Sequence, residues 1–208
     1  MTEFIQEIVL AIFGNNAILA TIFISMIPVV ELRGAIPFGS SKEIWGENAL
    51  SIFEASVYSI IGSIIAASII IMLLIPIFNV LKKTKFFARI VSSFEEKFQK
   101  ESSKISSEAN ENKNKELKKW LGIMTFVAIP LPLTGVWTGS AIAVFLKMGF
   151  WKSISATSVG AVIAACIMTA VSKLLGEKAL AIFYIFALLL VVTLVAYLIR
   201  ALIKSKKK

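Results

Sequence analysis

The chain has 208 residues, of which 57% are hydrophobic and only 17% are charged, and its mean hydropathy is +0.83. Soluble domains average about 45–50% apolar and about 25% charged residues, so this composition excludes an ordinary soluble domain and predicts an integral membrane protein. The chain has no histidine and no aspartate, and Cys166 is its single cysteine. Because the usual residues for zinc, haem or Ser-His-Asp chemistry are missing, we expect no enzyme activity, no cofactor and no metal.

Five stretches carry no charged residue over roughly the 20 positions that a helix needs to cross about 30 Å of hydrocarbon. They are residues 8–30, 55–81, 120–146, 153–172 and 179–199. The second, fourth and fifth predict spanning helices. The first contains Gly14-Asn15-Asn16 and ends in Pro28, and the third contains Pro130, Pro132 and Gly135 in its middle. Such Gly and Pro signals predict that these two segments are broken by turns.

The positive charge is concentrated in two places. Residues 82–119 hold 11 basic and 6 acidic side chains, and the chain ends in a basic tail at 204–208. Apolar positions at helical spacing in residues 87–98 predict a surface amphipathic helix within this connector. Since basic loops stay on the cytoplasmic side of a membrane, topology explains the net charge of +9 and nucleic acid is not an expected partner.

The two halves of the chain resemble each other. Residues 61–69 align with residues 159–167, and Ile27-Pro28 aligns with Ile129-Pro130 in the same order and at a similar offset. If the connector and the tail are both cytoplasmic, residues 120–146 must enter and leave the membrane on one face. The matching segment around residues 28–34 then enters from the other face. A plain helix over residues 8–30, with Glu31 at the membrane surface, is the alternative.

The predicted fold is therefore an all-α integral membrane protein with two inverted repeats, as in many secondary transporters. Each repeat is a re-entrant hairpin followed by a transmembrane helix, and a further transmembrane helix closes the chain. Within a single membrane domain (1–208), the first repeat covers residues 1–81, the connector 82–119 and the second repeat 120–178. The C-terminal helix covers 179–203 and the tail 204–208. The expected location is the cell membrane, with several spans and a cytoplasmic C-terminus.

The broken segments also carry a family resemblance. Residues 28–39, read as PVVELRGAIPFG, resemble the signature of the putative small multidrug export protein family, and residues 130–139 resemble that family's second signature. The resemblance covers nearly the whole chain outside the connector and the tail, and it implies export of a small molecule.

A more distant resemblance links the chain to the DedA membrane family, whose members have two opposed re-entrant hairpins and are connected with polyprenyl-phosphate lipids. In that family an acidic residue precedes a Pro-Gly-type turn, much as Glu31 precedes Pro37 here. The second DedA hairpin carries arginines, whereas this chain has Thr134 and Thr138.

The candidate site residues lie at the two breaks. They are Glu31, Arg33, Pro37, Pro130, Pro132, Thr134, Gly135, Trp137, Thr138 and Gly139. Charged side chains inside a membrane are costly and usually mark function, so Glu31 is a candidate proton carrier and Arg33 a candidate fork for a phosphate or carboxylate. A half-helix starting near Gly135 would present its N-terminus to an anion. Alternatively, the charges form an interfacial salt bridge and the second break is purely structural.

These features predict a transporter that exports or translocates a small molecule or an amphiphile, with proton coupling as one mechanism. Translocation of a phosphate-bearing polyprenyl lipid and a non-transport membrane scaffold are the alternatives. The expected partners are the lipid bilayer and a small-molecule or lipid substrate, and self-association into a homo-oligomer is left open.

The charge distribution makes a testable prediction about topology. Reporter fusions placed at Ser107 and after Lys208 should both report the cytoplasm, because the basic residues of the connector and tail hold these segments inside. An exterior signal from either fusion would reverse the predicted orientation, and the hairpin deduced for residues 120–146 would no longer follow.

Overall fold

The computed structural model describes residues 2–81, 108–131 and 134–205, and within these ranges the chain is helical with no β-strand. The prediction of an all-α protein is thus confirmed. The predicted amphipathic helix at residues 87–98 lies outside the described residues, as does Pro132. The α-helices in chain order are α1 (Thr2–Phe13), α2 (Ala17–Met26), α3 (Glu31–Gly39), α4 (Lys42–Trp45), α5 (Ile52–Leu81), α6 (Glu108–Ala128), α7 (Val136–Phe145), α8 (Phe150–Leu175) and α9 (Leu180–Ser205).

Two of these helices are long and apolar enough to cross a bilayer. They are Ile52–Phe78 within α5 and Phe150–Leu175, which is α8. The bent pair formed by α1 and α2 makes a third candidate, and Val136–Phe145 and Leu180–Ala196 are shorter apolar helices. The outer faces of α5 and α8 expose branched aliphatic side chains, as helices in contact with lipid do. The chain is therefore a helical membrane protein.

Both segments that the sequence predicted to be broken are broken. Helix α1 ends in a turn where Gly14 has a φ of 58°, and the chain bends by 101° before α2, whose first turn is capped by Asn16. The alternative of one plain helix over residues 8–30 is therefore wrong. In the second half, α6 ends at Ala128 and α7 begins only at Val136.

The two helices of the second broken segment have their outer ends side by side. At the end of the polar half of α6, next to its apolar half, Lys119 Nζ donates to the carbonyl of Leu146 at 3.1 Å, just after the end of α7. Glu116 pairs with Lys152 at the start of α8 at 2.9 Å. Helix α6 begins at Glu108, within the predicted connector, so residues 108–119 form its polar first turns.

Helix α3 is the centre of the packing. All nine of its residues are buried, and it packs against α2, α5, α8 and α9. Leu32 and Ile36 belong to an apolar cluster shared with α6, α7 and α8, whereas Phe38 belongs to a second cluster shared with α1, α2 and α9. Because one short helix joins both clusters, the polar residues at its start are placed inside the protein.

Glycines allow the long helices to approach the broken ones. A Cβ at Gly62 on α5 would overlap the Ser25 hydroxyl and the Ile22 carbonyl of α2. A Cβ at Gly160 on α8 would lie 2.6 Å from the carbonyl oxygen of Met124 on α6. Small residues let membrane helices pack backbone to backbone in this way.

We expect Gly62→Ala to lower the free energy of unfolding by about 1–3 kcal/mol, because the added methyl group meets backbone atoms that cannot move aside. The matched control is Gly122→Ala on α6, where a Cβ meets nothing within 4 Å. That control should gain about 0.5–1 kcal/mol, because alanine favours a helix over glycine. Thermal melting of the two purified variants in detergent measures both effects. Equal melting temperatures would show that the α2–α5 contact is looser than described.

Candidate functional site

The turn that leads into α3 has an unusual backbone. Val29 has a φ of 74° and Glu31 a φ of 47°, both in the left-handed region. This conformation is rare for a β-branched residue and costs on the order of 1–3 kcal/mol, so packing elsewhere must hold it. Glu31 and Arg33, which would point apart in a regular helix, meet across this turn.

Glu31 and Arg33 form a buried ion pair. Each residue is 2% exposed, and Arg33 Nη1 donates to Glu31 Oε2. Moving two charges out of water costs several kcal/mol per ion, which their attraction offsets only when further hydrogen bonds satisfy both groups. Neither side chain reaches the protein surface, so the pair is enclosed by the fold and is not exposed at a helix end.

The further partners of Arg33 come from the second break. Its Nη2 donates to the carbonyl of Ile129 at 3.0 Å, to Thr134 Oγ1 at 3.2 Å and, at a longer 3.5 Å, to the carbonyl of Val127. These carbonyls lie where α6 ends, and the last carbonyls of a helix lack helical partners and carry its negative dipole end. Arg33 thus caps the C-terminal end of α6.

Glu31 is bound at the opposite side of the same break. The backbone N–H of Trp137, in the first turn of α7, donates to Glu31 Oε1 at 3.3 Å. Gly135 precedes α7 without a side-chain cap, and a Cβ there would overlap the Glu31 carboxylate. The helix N-terminus that the sequence offered to a substrate anion is therefore occupied by the protein's own carboxylate.

Trp137 also contacts the first half of the chain, at the break between α2 and α3. Its indole Nε1 donates at 3.0 Å to the carbonyl of Met26, the last residue of α2. The start of α3 therefore binds the free helix ends at the break between α6 and α7, and Trp137 of α7 binds the free end of α2. Trp137 thus caps the C-terminal end of α2.

The other candidate residues surround this contact. Thr134 Oγ1 lies 2.7 Å from the carbonyl of Ile129, Thr138 Oγ1 donates to the carbonyl of Gly135 at 3.4 Å, and Gly139 packs against Val127. Pro37 is buried inside α3, away from the pair, and Pro130 is partly buried at the end of α6. Among the described residues, no cluster of three or more acidic or Cys side chains is placed to hold a metal.

Sequence reasoning missed the backbone groups of the site. The carbonyls of Met26, Val127 and Ile129 carry no side-chain signal of their own. A proline disfavours helical backbone at the preceding residue, so Pro130 did indicate that α6 ends near Ile129 and leaves carbonyls free. The matching repeat positions of the two breaks predict that Glu31 and Arg33 lie near the second break, but no local signal indicated which backbone groups Arg33 would reach.

The fold and the site together define a class of protein. It is a helical membrane protein in which two helix breaks pack against each other around a buried ion pair. Sequence comparison matches residues 31–167, about two thirds of the chain, to the family described as putative small multi-drug export protein, and the chain belongs to that family. The family name indicates export, a membrane transporter role. No curated protein and no solved structure matches the chain, and the likeness to the DedA family stays a prediction.

Gly135 gives the site a test in stability. We expect Gly135→Ala to lower the free energy of unfolding by about 1–3 kcal/mol, because its methyl group would displace the Glu31 carboxylate from α7. Gly149→Ala is the matched control, since Gly149 holds the equivalent N-cap position of α8 and a Cβ there meets nothing within 4 Å. That control should lose less than about 1 kcal/mol. Thermal melting compares the two, and an equal loss would mean that Glu31 does not fill the space beside Gly135.

Proposed function

We propose that this protein exports a small molecule or an amphiphile across the cell membrane without altering it chemically, and that Glu31 and Arg33 couple its movement to a proton. The observation that carries the proposal is the buried Glu31–Arg33 pair bound to both sides of the break between α6 and α7. Ionisable residues buried in membrane helices are expensive to keep, and they commonly mark proton relays and substrate paths.

The contacts suggest how the coupling works. An ionised Glu31 accepts hydrogen bonds from Arg33 and from the N-terminus of α7, and both of these bonds are strengthened by its charge. A proton on Glu31 removes that charge and weakens both bonds together. The first break is then held less firmly to the second, and loss of the proton restores the contact. This two-state contact is the proposed link between a proton gradient and the opening of a path.

We further propose that the two broken segments are re-entrant hairpins of inverted repeats, entering from opposite faces. The side-by-side outer ends of α6 and α7 support the second hairpin. The aligned glycines also make equivalent contacts, since Gly62 of α5 packs on α2 and Gly160 of α8 packs on α6. The basic connector and tail support a cytoplasmic C-terminus.

Translocation of a polyprenyl-phosphate lipid is the second candidate, and one observation favours it. Arg33 Nε is buried without a hydrogen-bond partner in the part of the chain that the structure describes. A guanidinium with a remaining donor suits a phosphate oxygen. Residues 120–146 contain no arginine, whereas the second hairpin of the DedA family carries arginines. Small-molecule export is therefore the proposal that we prefer.

Proton-driven flux into proteoliposomes tests the role of Glu31. With ethidium and a fluorescent polyprenyl phosphate as alternative probes, Glu31→Gln should reduce transport to the level of empty liposomes, because glutamine keeps the shape but cannot ionise. Arg33→Lys should also impair it, because lysine keeps the charge but loses the planar fork. Glu54→Gln, at an exposed carboxylate that caps α5, and Cys166→Ala are controls and should transport normally.

Folding must be measured beside flux, because leaving Arg33 without its partner could cost about 3–5 kcal/mol. The double variant Glu31→Gln/Arg33→Gln removes both charges and should fold while remaining inactive. Normal flux from either folded variant would remove the pair from the mechanism. Loss of folding in both would make the pair a structural clamp, and flux of neither probe by the wild type would favour a scaffold.

A further inference from the structure

A cleft of about 750 Å³ opens at the end of the molecule opposite to Lys119 and Lys152. It lies between the end of α3, the start of α5 and the connection from α8 to α9. Its lining residues are Pro37, Ser40, Ser41, Lys42, Glu43, Leu50, Ser51, Ile52, Ser172, Gly176, Ala179 and Leu180. Sites for small molecules commonly measure about 300–1,000 Å³, so this cleft has room for one.

The lining combines apolar surface with a few hydroxyl groups. Ser172 is 1% exposed, and its Oγ has no hydrogen-bond partner among the described residues. A buried hydroxyl without a partner is destabilising, and serines in helices readily avoid this by bonding a carbonyl one turn back. Ser172 thus lines a cleft, and its hydroxyl is left without a partner by the part of the chain that the structure describes.

The charges around the cleft limit the kind of ligand it suits. Lys42 and Glu43 are adjacent in the lining and both are exposed, so together they contribute no net charge. A ligand with a strong net charge of either sign gains nothing from this pair. An amphiphile that is uncharged or zwitterionic meets complementary groups, since its apolar part contacts Leu50 and Leu180 while a polar group reaches Ser172.

The cleft is connected to the ion pair through α3. Pro37 lines the cleft and follows Arg33 by one helical turn, about 6 Å along the axis. Proline has no N–H, so it cannot bond the Arg33 carbonyl four residues earlier as a regular helix would. A ligand in contact with Pro37 therefore touches the short buried helix that carries Arg33 and Glu31.

We propose that this cleft is a substrate-binding site, on the outer side in the predicted topology, and that it takes an uncharged or zwitterionic amphiphile. A role of the cleft in transport rests on the proposed function, whereas its capacity to bind a ligand does not. Ser172 donates a hydrogen bond to the ligand, and Pro37 transmits its presence to the ion pair.

Cysteine labelling tests the cleft without any transport. Cys166→Ala removes the single cysteine, and Ser172→Cys or Ser153→Cys is then added. Both serines are buried on α8, but only Ser172 lines the cleft, so Ser153 is the matched control. A small membrane-impermeant methanethiosulfonate should modify the Ser172→Cys variant and not the Ser153→Cys variant. Rhodamine B, a zwitterionic amphiphilic dye, should protect the Ser172→Cys variant. Equal reactivity at the two positions, or no protection, would overturn the proposal.

Direct binding of two related dyes tests the ligand class. Rhodamine B should bind the detergent-solubilised protein more tightly than rhodamine 6G, its cationic ester relative, as measured by fluorescence anisotropy. Ser172→Ala should weaken rhodamine B binding by roughly three- to tenfold, the value of one hydrogen bond, while melting no lower than the wild type. Tighter binding of rhodamine 6G, or unchanged binding in Ser172→Ala, would contradict the proposal.

Glu31→Gln separates this proposal from the proposed function. Rhodamine B should bind the folded Glu31→Gln protein, because the cleft lies at the other end of α3. Binding with normal flux in that variant would overturn the coupling role of Glu31 and leave the cleft in place. Loss of flux together with wild-type binding supports both proposals, whereas a folded wild-type protein that does not bind the dye overturns the cleft alone.

Discussion

The structure depends on satisfying one pair of charges away from water. Glu31 and Arg33 are almost completely buried, and a buried ion pair is tolerated only when nearly every remaining donor and acceptor is bonded. A continuous helix cannot supply these bonds, because its backbone groups are already paired. The breaks at α2–α3 and α6–α7 leave free carbonyls and N–H groups at the right places. The charges therefore need the breaks, and the breaks are stabilised by the charges.

The rest of the fold brings these groups together. Helix α3 is short enough to be enclosed entirely, and it contributes to both apolar clusters. The long helices α5 and α8 come close to the broken segments through Gly62 and Gly160. Burial of α3 and these close contacts offset the strained backbone at Val29. Local strain is commonly held by surrounding structure at functional sites.

Membership of the small multi-drug export family gives this arrangement a functional setting. The family match begins at Glu31, the first residue of the ion pair, and it includes Arg33 and the break between α6 and α7. In the proposed mechanism, the contact that joins the two halves through a carboxylate and a guanidinium acts as a switch, because a proton on Glu31 would weaken several bonds at once. The same short helix that carries the pair also borders a cleft at its other end. Under the two proposals, a ligand and a proton would act on the same short helix.

Composition and local signals in the sequence were enough to determine a helical membrane protein, two broken segments and a candidate pair at Glu31 and Arg33. These features depend on residues within a few positions of one another, such as Gly14 at a turn or Pro130 at a helix end. The tertiary structure decided the partners. Arg33 reaches carbonyls 94 and 96 residues away, Trp137 reaches Met26 across 111 residues, and Glu31 occupies the helix end that the sequence had offered to a substrate. Contacts at such separations are set by how the helices pack, and no local pattern encodes that.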